Sequence, residues 1–370
     1  MRILHTSDWH LGASLNNMPL LGEQQNFLRQ LYQIVEREQI DAVLVAGDVF
    51  DHAVSNADAI SLYNEAMTTL CIDMHIPVLV CAGNHDGAAR LSSCGKLLER
   101  AGLYVAGGIR DGIREVEIGG ASFHLLPYFS IDEARYLYPG EEIKSYHDAM
   151  QAVAASMQTE GKSNILVAHC FVTGAQTSES DRSAMVGGAN MVNAGVFSVF
   201  DYVALGHLHR AQDIGGNVRY SGSPVKLSFA EAGAEKSVTV VDTSDFSRRE
   251  VPVRMERDLR VLKGNYSELL DAAEADPRRE DYIKIELRDE YAHMEILNTF
   301  RNFYPNLLSL AGKQVRETET SLTVEEASSL RPEDIMAMFC REYTGEEPDE
   351  AQKAWFRRAL EAQQKGGEAE

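Results

Sequence analysis

The chain has 370 residues, more than the ~250–300 at which a single hydrophobic core stops growing, so one large domain with smaller appendages is expected. Hydrophobic residues make up 44% and charged residues 25%, the composition of a soluble globular protein rather than a disordered, fibrous or membrane-embedded one. The net charge of −21 argues against a polyanionic partner unless bound cations reverse the sign locally, although residues 246–330 hold 13 of the 35 basic side chains.

Met1 leads directly into Arg2-Ile3-Leu4-His5-Thr6 with no signal-peptide pattern. No apolar run approaches the ~18 residues of a membrane span, so a cytoplasmic protein without membrane attachment is expected. Cys71, Cys81, Cys94, Cys170 and Cys340 are odd in number and scattered, which predicts neither a disulfide framework nor a zinc knuckle.

Along the first half, short β-branched runs alternate with amphipathic helical stretches, the pattern of an α/β layered fold. Strands are predicted at 2–7, 42–47, 77–82 and 164–168, and a helix at Glu23 to Glu38 with Phe27, Leu28, Leu31, Ile34 and Val35 on one side. After residue 103 the period shifts towards two, at 114–118 and 121–125, which implies hairpins and a second sheet. Residues 172–196 form a long stretch rich in Gly, Ser, Asn and Thr, a candidate substrate loop. Further strands are predicted at 202–206, 218–221 and 237–241, and the charged stretch Ser247 to Arg260 suggests a boundary. Beyond it, a strand at 282–287, a helix around Met294 to Phe303 and another strand read as a small α+β unit. From Pro332 only helices are expected, with Ile335, Met338, Phe339, Trp355 and Phe356 as apolar anchors. The predicted domains are therefore 1–250, 251–325 and 326–370.

Five short motifs sit at or just after predicted strand ends: Asp8-Trp9-His10, Gly47-Asp48-Val49-Phe50-Asp51, Gly83-Asn84-His85-Asp86, Ala168-His169-Cys170 and Gly206-His207-Leu208-His209. Any one of them alone would be read as a surface pair or a hydrogen-bonded core histidine. Together they supply the oxygen and nitrogen ligands that a pair of divalent metals requires, including a carboxylate able to bridge. In open α/β sheets such residues converge at the carboxyl ends of the strands. Cys170, which has no dedicated base in its motif, reads as packing rather than as a nucleophile.

These motifs match the pattern D-x-H, G-D-x-x-D, G-N-H-D/E, H, G-H-x-H, and on them the chain resembles the calcineurin-like metallophosphoesterase superfamily. Three longer stretches, 3–12, 201–210 and Tyr220-Ser221-Gly222-Ser223-Pro224, are similar to the nucleases of double-strand-break repair within it. The resemblance implies a four-layer α/β/β/α sandwich, a small α+β capping domain and C-terminal helices. It implies a two-metal DNA nuclease, a double-strand exonuclease and single-strand endonuclease that works with a coiled-coil ATPase of the SbcC type, as a homodimer within a heterotetramer. A phosphatase or cyclic-nucleotide phosphodiesterase of the same superfamily is the alternative.

By the same resemblance, one metal is held by Asp8, His10, Asp48 and His209, the other by Asp48, Asn84, His169 and His207, with Asp48 bridging. Manganese is the implied ion and suits a mixed nitrogen and oxygen site, although these ligand types would also accept iron, zinc or magnesium. His85 would face the scissile phosphate as general acid or transition-state stabiliser, with Asp51 orienting it and His52 as a neighbouring alternative. DNA contacts are expected from residues 174–190 and from Arg278 and Arg279 of the cap.

Overall fold

The computed structural model of the protein describes residues 1–157, 163–177, 191–313, 331–344 and 347–366. Of the long polar loop, 178–190 lie outside the described residues, as does the boundary expected at 325/326.

The large domain is built on two six-stranded sheets. The first has the order Arg248–Val253, Lys236–Asp242, Arg2–Thr6, Ala42–Ala46, Val78–Cys81, Leu103–Ala106. Its last four strands are parallel and its first two are antiparallel to their neighbours. The second sheet runs Gln212–Asp213, Val218–Tyr220, Tyr202–Gly206, Ser163–His169, Ala121–Leu126, Arg114–Ile118, with a parallel centre and an antiparallel strand at each edge.

The apolar strand Ala42–Ala46 has no alternation because it is covered on both faces, and all five residues are buried. One face looks into the core between the sheets, where Ile3, Leu44, Leu79, Phe123, Ile165 and Tyr202 meet. The outer face of the first sheet is covered by helices Leu21–Glu38 and Ala57–Thr68, and that of the second by Ile131–Leu137 and Tyr146–Ala155. Helix Leu21–Glu38 buries the expected stripe of Phe27, Leu28, Leu31, Ile34 and Val35, and stops where Gln39 turns left-handed. The layer order is α/β/β/α.

Strand Arg248–Val253 pairs with Lys236–Asp242 up to the register Lys236↔Val253, so the first sheet continues past residue 250. The small domain also differs from the α+β unit expected. Its strands Leu259–Gly264, Tyr282–Leu287 and Leu307–Ala311 are all parallel, with helices Tyr266–Ala275 and Met294–Arg301 between them, a βαβαβ winding. The first of these strands begins inside the charged stretch that reads as a boundary, and carries Arg260 and Lys263. Ile283, Ile285, Phe300 and Tyr304 form its separate core.

The two domains are joined by apolar packing of Leu259 and Tyr282 into the core beneath the first sheet's helices and by polar contacts: Lys226 Nζ lies 2.6 Å from the Asp258 carboxylate, and the buried Glu23 carboxylate accepts the main-chain N–H groups of Glu256 and Arg257 at 2.7 and 3.1 Å. Helices Pro332–Thr344 and Glu350–Gly366 follow. Cys71, Cys81, Cys94 and Cys170 are free thiols, and no described helix is long and apolar enough to cross a membrane.

Phe123 is fully buried between the sheets, so Phe123→Ala should lower unfolding free energy by about 3–5 kcal/mol. Urea titration of the metal-free chain measures this; a loss below about 1 kcal/mol would mean that the sheets are not packed through this residue.

Candidate metal centre

The five motifs lie at the carboxyl ends of Arg2–Thr6, Ala42–Ala46, Val78–Cys81, Ser163–His169 and Tyr202–Gly206, three strands of one sheet and two of the other. Beyond the first two strands the chains stay side by side: Asp8 N–H donates to Gly47 O, His10 N–H to Asp48 O and Leu11 N–H to Val49 O, at 3.0, 3.0 and 2.9 Å. In this stretch Asp8, His10 and Asp48 have φ of 52, 44 and 49°, and His207 has 103°. Non-glycine residues in that region cost on the order of 1–3 kcal/mol each and persist only where their surroundings enforce them. Gly83 answers a different demand, close approach: a Cβ there would collide with Asp48 Oδ1.

Asp8, His10, Asp48 and His169 are buried, Asn84, His207 and His209 half-buried, and His85 is exposed at the mouth. Ligating atoms of Asp8, His10 and His209 converge within 4.8 Å of one another, as do those of Asp8, Asp48 and His169. Asn84 Oδ1 lies 3.0 Å from both His169 Nε2 and His207 Nδ1, which are themselves 3.3 Å apart, and His169 Nε2 is 3.3 Å from Asp48 Oδ2. His10 Nε2 faces the same carboxylate oxygen from 3.7 Å. The structure thus gathers all seven residues expected to bind metal around Asp48.

His169 Nδ1 donates to Ala46 O at 3.0 Å, so its Nε2 is a bare acceptor in the neutral ring, aimed at the acceptor oxygens of Asn84 and Asp48. Such a cluster of acceptors is satisfied by a cation among them. The buried His10 Nε2 likewise makes no hydrogen bond. These residues therefore fit a pair of divalent ions.

Several supports are not apparent in the motifs. The buried Asp86 carboxylate accepts from the main-chain N–H groups of Val49, Phe50 and Gly83 at 3.2, 2.9 and 2.8 Å, locking two of the loops together. Gln24 donates from Nε2 to His10 O at 2.6 Å and accepts from Gly12 N–H at 3.0 Å. His207 N–H donates to Asp8 Oδ1 and His85 N–H to Asp48 Oδ1, both at 2.9 Å. The position of Asp86 beside Gly83-Asn84-His85 was a usable signal; Gln24, on a helix, carried none.

A carboxylate oxygen of Asp51 and ring nitrogens of His10 and His85 lie within 4.8 Å of one another, but the hydrogen bond between Asp51 and His85 runs through the main chain. His85 Nδ1 donates to the Asp51 main-chain carbonyl at 2.9 Å, while the Asp51 carboxylate faces His10 Nδ1 at 3.2 Å and His52 Nδ1 at 3.3 Å. The His52 side chain is 78% exposed. Burial pushes the Cys170 thiol up to about 12, in keeping with packing rather than nucleophilic chemistry. Arg278 and Arg279 are engaged within the cap: Arg278 pairs with Asp281 at 2.7 Å and Asp258 at 3.3 Å, and Arg279 donates to the carbonyls of Asp276 and Glu274.

Burial alone would raise the Asp48 carboxyl, but His169, His10 and His85 outweigh it and hold the group well below the usual carboxylate range. Burial opposes charge on His169 too, yet Asp48 and Asp8 lift it to about 9. His207, buried and next to His169, is pushed down to about 3. Asp8 is raised, by burial first.

Residues 1–211 match the calcineurin-like phosphoesterase family and residues 255–344 the type 5 capsule protein repressor C-terminal domain. The chain belongs to the calcineurin-like phosphoesterase family. Among curated relatives, the SbcD subunit of nuclease SbcCD from Staphylococcus saprophyticus subsp. saprophyticus is 32% identical over 94% of both chains. Its counterpart from Staphylococcus epidermidis is 31% identical over 88% of this phosphoesterase and 89% of its own chain. Among solved structures, an archaeal phosphodiesterase covers 68% of this chain and 100% of its own at 12% identity, with a TM-score of 0.34.

In the metal-free protein the raised His169 stabilises the fold fully below its ordinary value of 6.5, and that contribution is lost as pH rises through about 9. With chelator present, the melting temperature should fall over this interval and His169→Gln should flatten the fall. An undiminished fall in the variant would assign it to other groups.

Proposed function

We propose that this phosphoesterase is a metal-dependent DNA nuclease, acting on double strands as an exonuclease and on single strands as an endonuclease, in DNA end processing with an SbcC-type coiled-coil ATPase. The observation that carries the metal chemistry is the convergence of Asn84 Oδ1, His169 Nε2, His207 Nδ1 and Asp48 Oδ2 within 3.0–3.3 Å contacts. The substrate follows from the nuclease relatives that match along nearly the whole chain.

In this reading Asp8, His10, Asp48 and His209 hold one ion and Asp48, Asn84, His169 and His207 the other. Manganese is the assigned ion. Two such ions, when bound, would supply Lewis acidity to a phosphodiester and acidify the attacking water. The chain's own contribution is orientation. Asp48 is fixed by His85 N–H at 2.9 Å and His169 by Ala46 O at 3.0 Å. His85, exposed and anchored through Nδ1 to the Asp51 carbonyl, keeps Nε2 for the substrate and can hold a proton for the leaving oxygen. Asp51 acts on His85 through its carbonyl and on His10 through its carboxylate.

The assay that tests this compares cleavage of double-stranded DNA with that of a small phosphomonoester and a cyclic nucleotide, with and without manganese. Turnover confined to the small substrates would replace the nuclease by the phosphatase or cyclic-nucleotide phosphodiesterase reading.

We assign ATPase docking to the C-terminal helices, where Ile335, Phe339, Trp355 and Phe356 line an apolar groove of about 710 Å³. Phe339 and Trp355 are 59% and 67% exposed, an arrangement suited to gripping an amphipathic helix. A homodimer within a heterotetramer, in the cytoplasm, is the assembly we infer.

Truncation at Pro332 should leave manganese-dependent cleavage intact and abolish co-purification with the ATPase; retained association would remove this assignment. At the centre itself, Asn84→Ala should lose one of two bound ions, whereas His85→Ala should keep both and bind DNA while turnover falls roughly 10²–10⁴-fold. Metal stoichiometry and cleavage rates on both variants decide this, and a His85→Ala enzyme cutting at wild-type rate would contradict the role given to the ring.

A further inference from the structure

The turn Ser221-Gly222-Ser223 stands out in the sequence, yet none of its side chains reaches the seven converging residues directly. It lies instead immediately beneath the His207–His209 loop. Gly222, at φ 75°, passes so near that loop that a Cβ would stand 2.6 Å from Ala211 N and 2.8 Å from His209 O. Ser223 N–H donates to His209 O at 3.2 Å, and the Lys236 ammonium donates to the same carbonyl at 2.9 Å and to Ser223 Oγ at 2.7 Å. Ser221 Oγ is 3.0 Å from Ser7 Oγ, which donates to Asp8 Oδ2 at 2.5 Å.

The charge on Lys236 is matched by Glu231, at the end of the short helix Phe229–Glu231. The two groups pair at 2.5 Å with 5% and 4% of their side chains exposed. The other Glu231 oxygen faces His209 Nδ1 at 3.5 Å. A buried ion pair gives little net stability, because desolvating two charges offsets most of their attraction. Its location under one imidazole therefore suggests a different use. A carboxylate on one ring nitrogen selects the tautomer that leaves the other nitrogen bare and makes it a stronger ligand. The 3.5 Å separation suits this, since a cation on Nε2 renders Nδ1–H more acidic and draws it towards the carboxylate.

We propose that Glu231 is a positioning residue for His209: it holds the ring with Nδ1–H towards itself and Nε2 towards Asp8 and His10, while Lys236 and the Ser221–Ser223 turn fix the loop from below. This rests on the reading of His209 as a metal ligand. The arrangement is selective, because Glu231 and Lys236 both act on the His209 side of the centre. It should tune one ion and spare the other.

The test uses the full chain with manganese alone. Calorimetric titration of the wild type should resolve two ions. The double variant E231Q/K236M removes both buried charges together, so that neither is left unpaired. It should melt close to wild type without metal, bind one ion roughly 10–100-fold more weakly and the other unchanged. Unaltered binding of both ions, or equal weakening of both, overturns the proposal. A measurement on the wild type needs no substitution: in cadmium-loaded protein with 15N-labelled histidine, 113Cd coupling to His209 Nε2 with a proton on Nδ1 supports it. Cadmium on Nδ1 overturns it. A chain that binds no metal, or cadmium coupled to neither nitrogen of His209, overturns the ligand set itself and the inference with it.

Discussion

Everything in the large domain is arranged around one electrostatic constraint, the confinement of acceptor atoms in a space from which water is largely excluded. Asp8 and Asp48 are both buried and influence each other's ionisation, and the bare nitrogen of His169 points at further acceptors. Without cations such a cluster is repulsive, and the raised His169 is the sign of protons filling the role. This also resolves the tension between a net charge of −21 and a polyanionic substrate. The field that matters to a phosphodiester is that of the loaded centre, while the acidic surface elsewhere disfavours nonspecific adhesion.

A packed sandwich is well suited to holding such a cluster. Strand ends are rigid, and their loops can be pinned by main-chain hydrogen bonds such as those running from Asp8 to Gly47 and from His10 to Asp48. The left-handed conformations of Asp8, His10, Asp48 and His207 are the local cost of turning side chains inward from strands that end side by side. Asp86 offsets part of that cost by capturing three N–H groups that would otherwise be buried without partners.

The sequence is legible where chemistry and local geometry coincide. Asp8-x-His10 and His207-x-His209 declare themselves by residue type at the ends of strands, although their left-handed backbones, not an extended chain, turn the side chains inward, and the fully apolar Ala42–Ala46 marks a covered strand. It is opaque where a role depends on a distant partner. Glu231 and Lys236 look like ordinary surface charges until the fold buries them beneath His209. Arg278 and Arg279 read as a basic patch despite Asp276 and Asp281 beside them in sequence, and only the fold adds Asp258, twenty residues earlier. The strand Leu259–Gly264 is hidden because its charged residues Arg260 and Lys263 stand three apart, on opposite faces, which breaks the period-two alternation.

The pairing of Arg2–Thr6 with Lys236–Asp242 has a consequence for how the molecule comes into being. Arg2–Thr6 is flanked on one side by a strand more than two hundred positions downstream, and the His207 N–H that braces Asp8 comes 199 residues later. Contacts so far apart in sequence close late, because the entropy of the intervening loop is lost before they form. A chain still on the ribosome therefore has no assembled metal centre until the second sheet and the strands after it have emerged. Hydrolysis is thus withheld from the early part of the chain by topology alone.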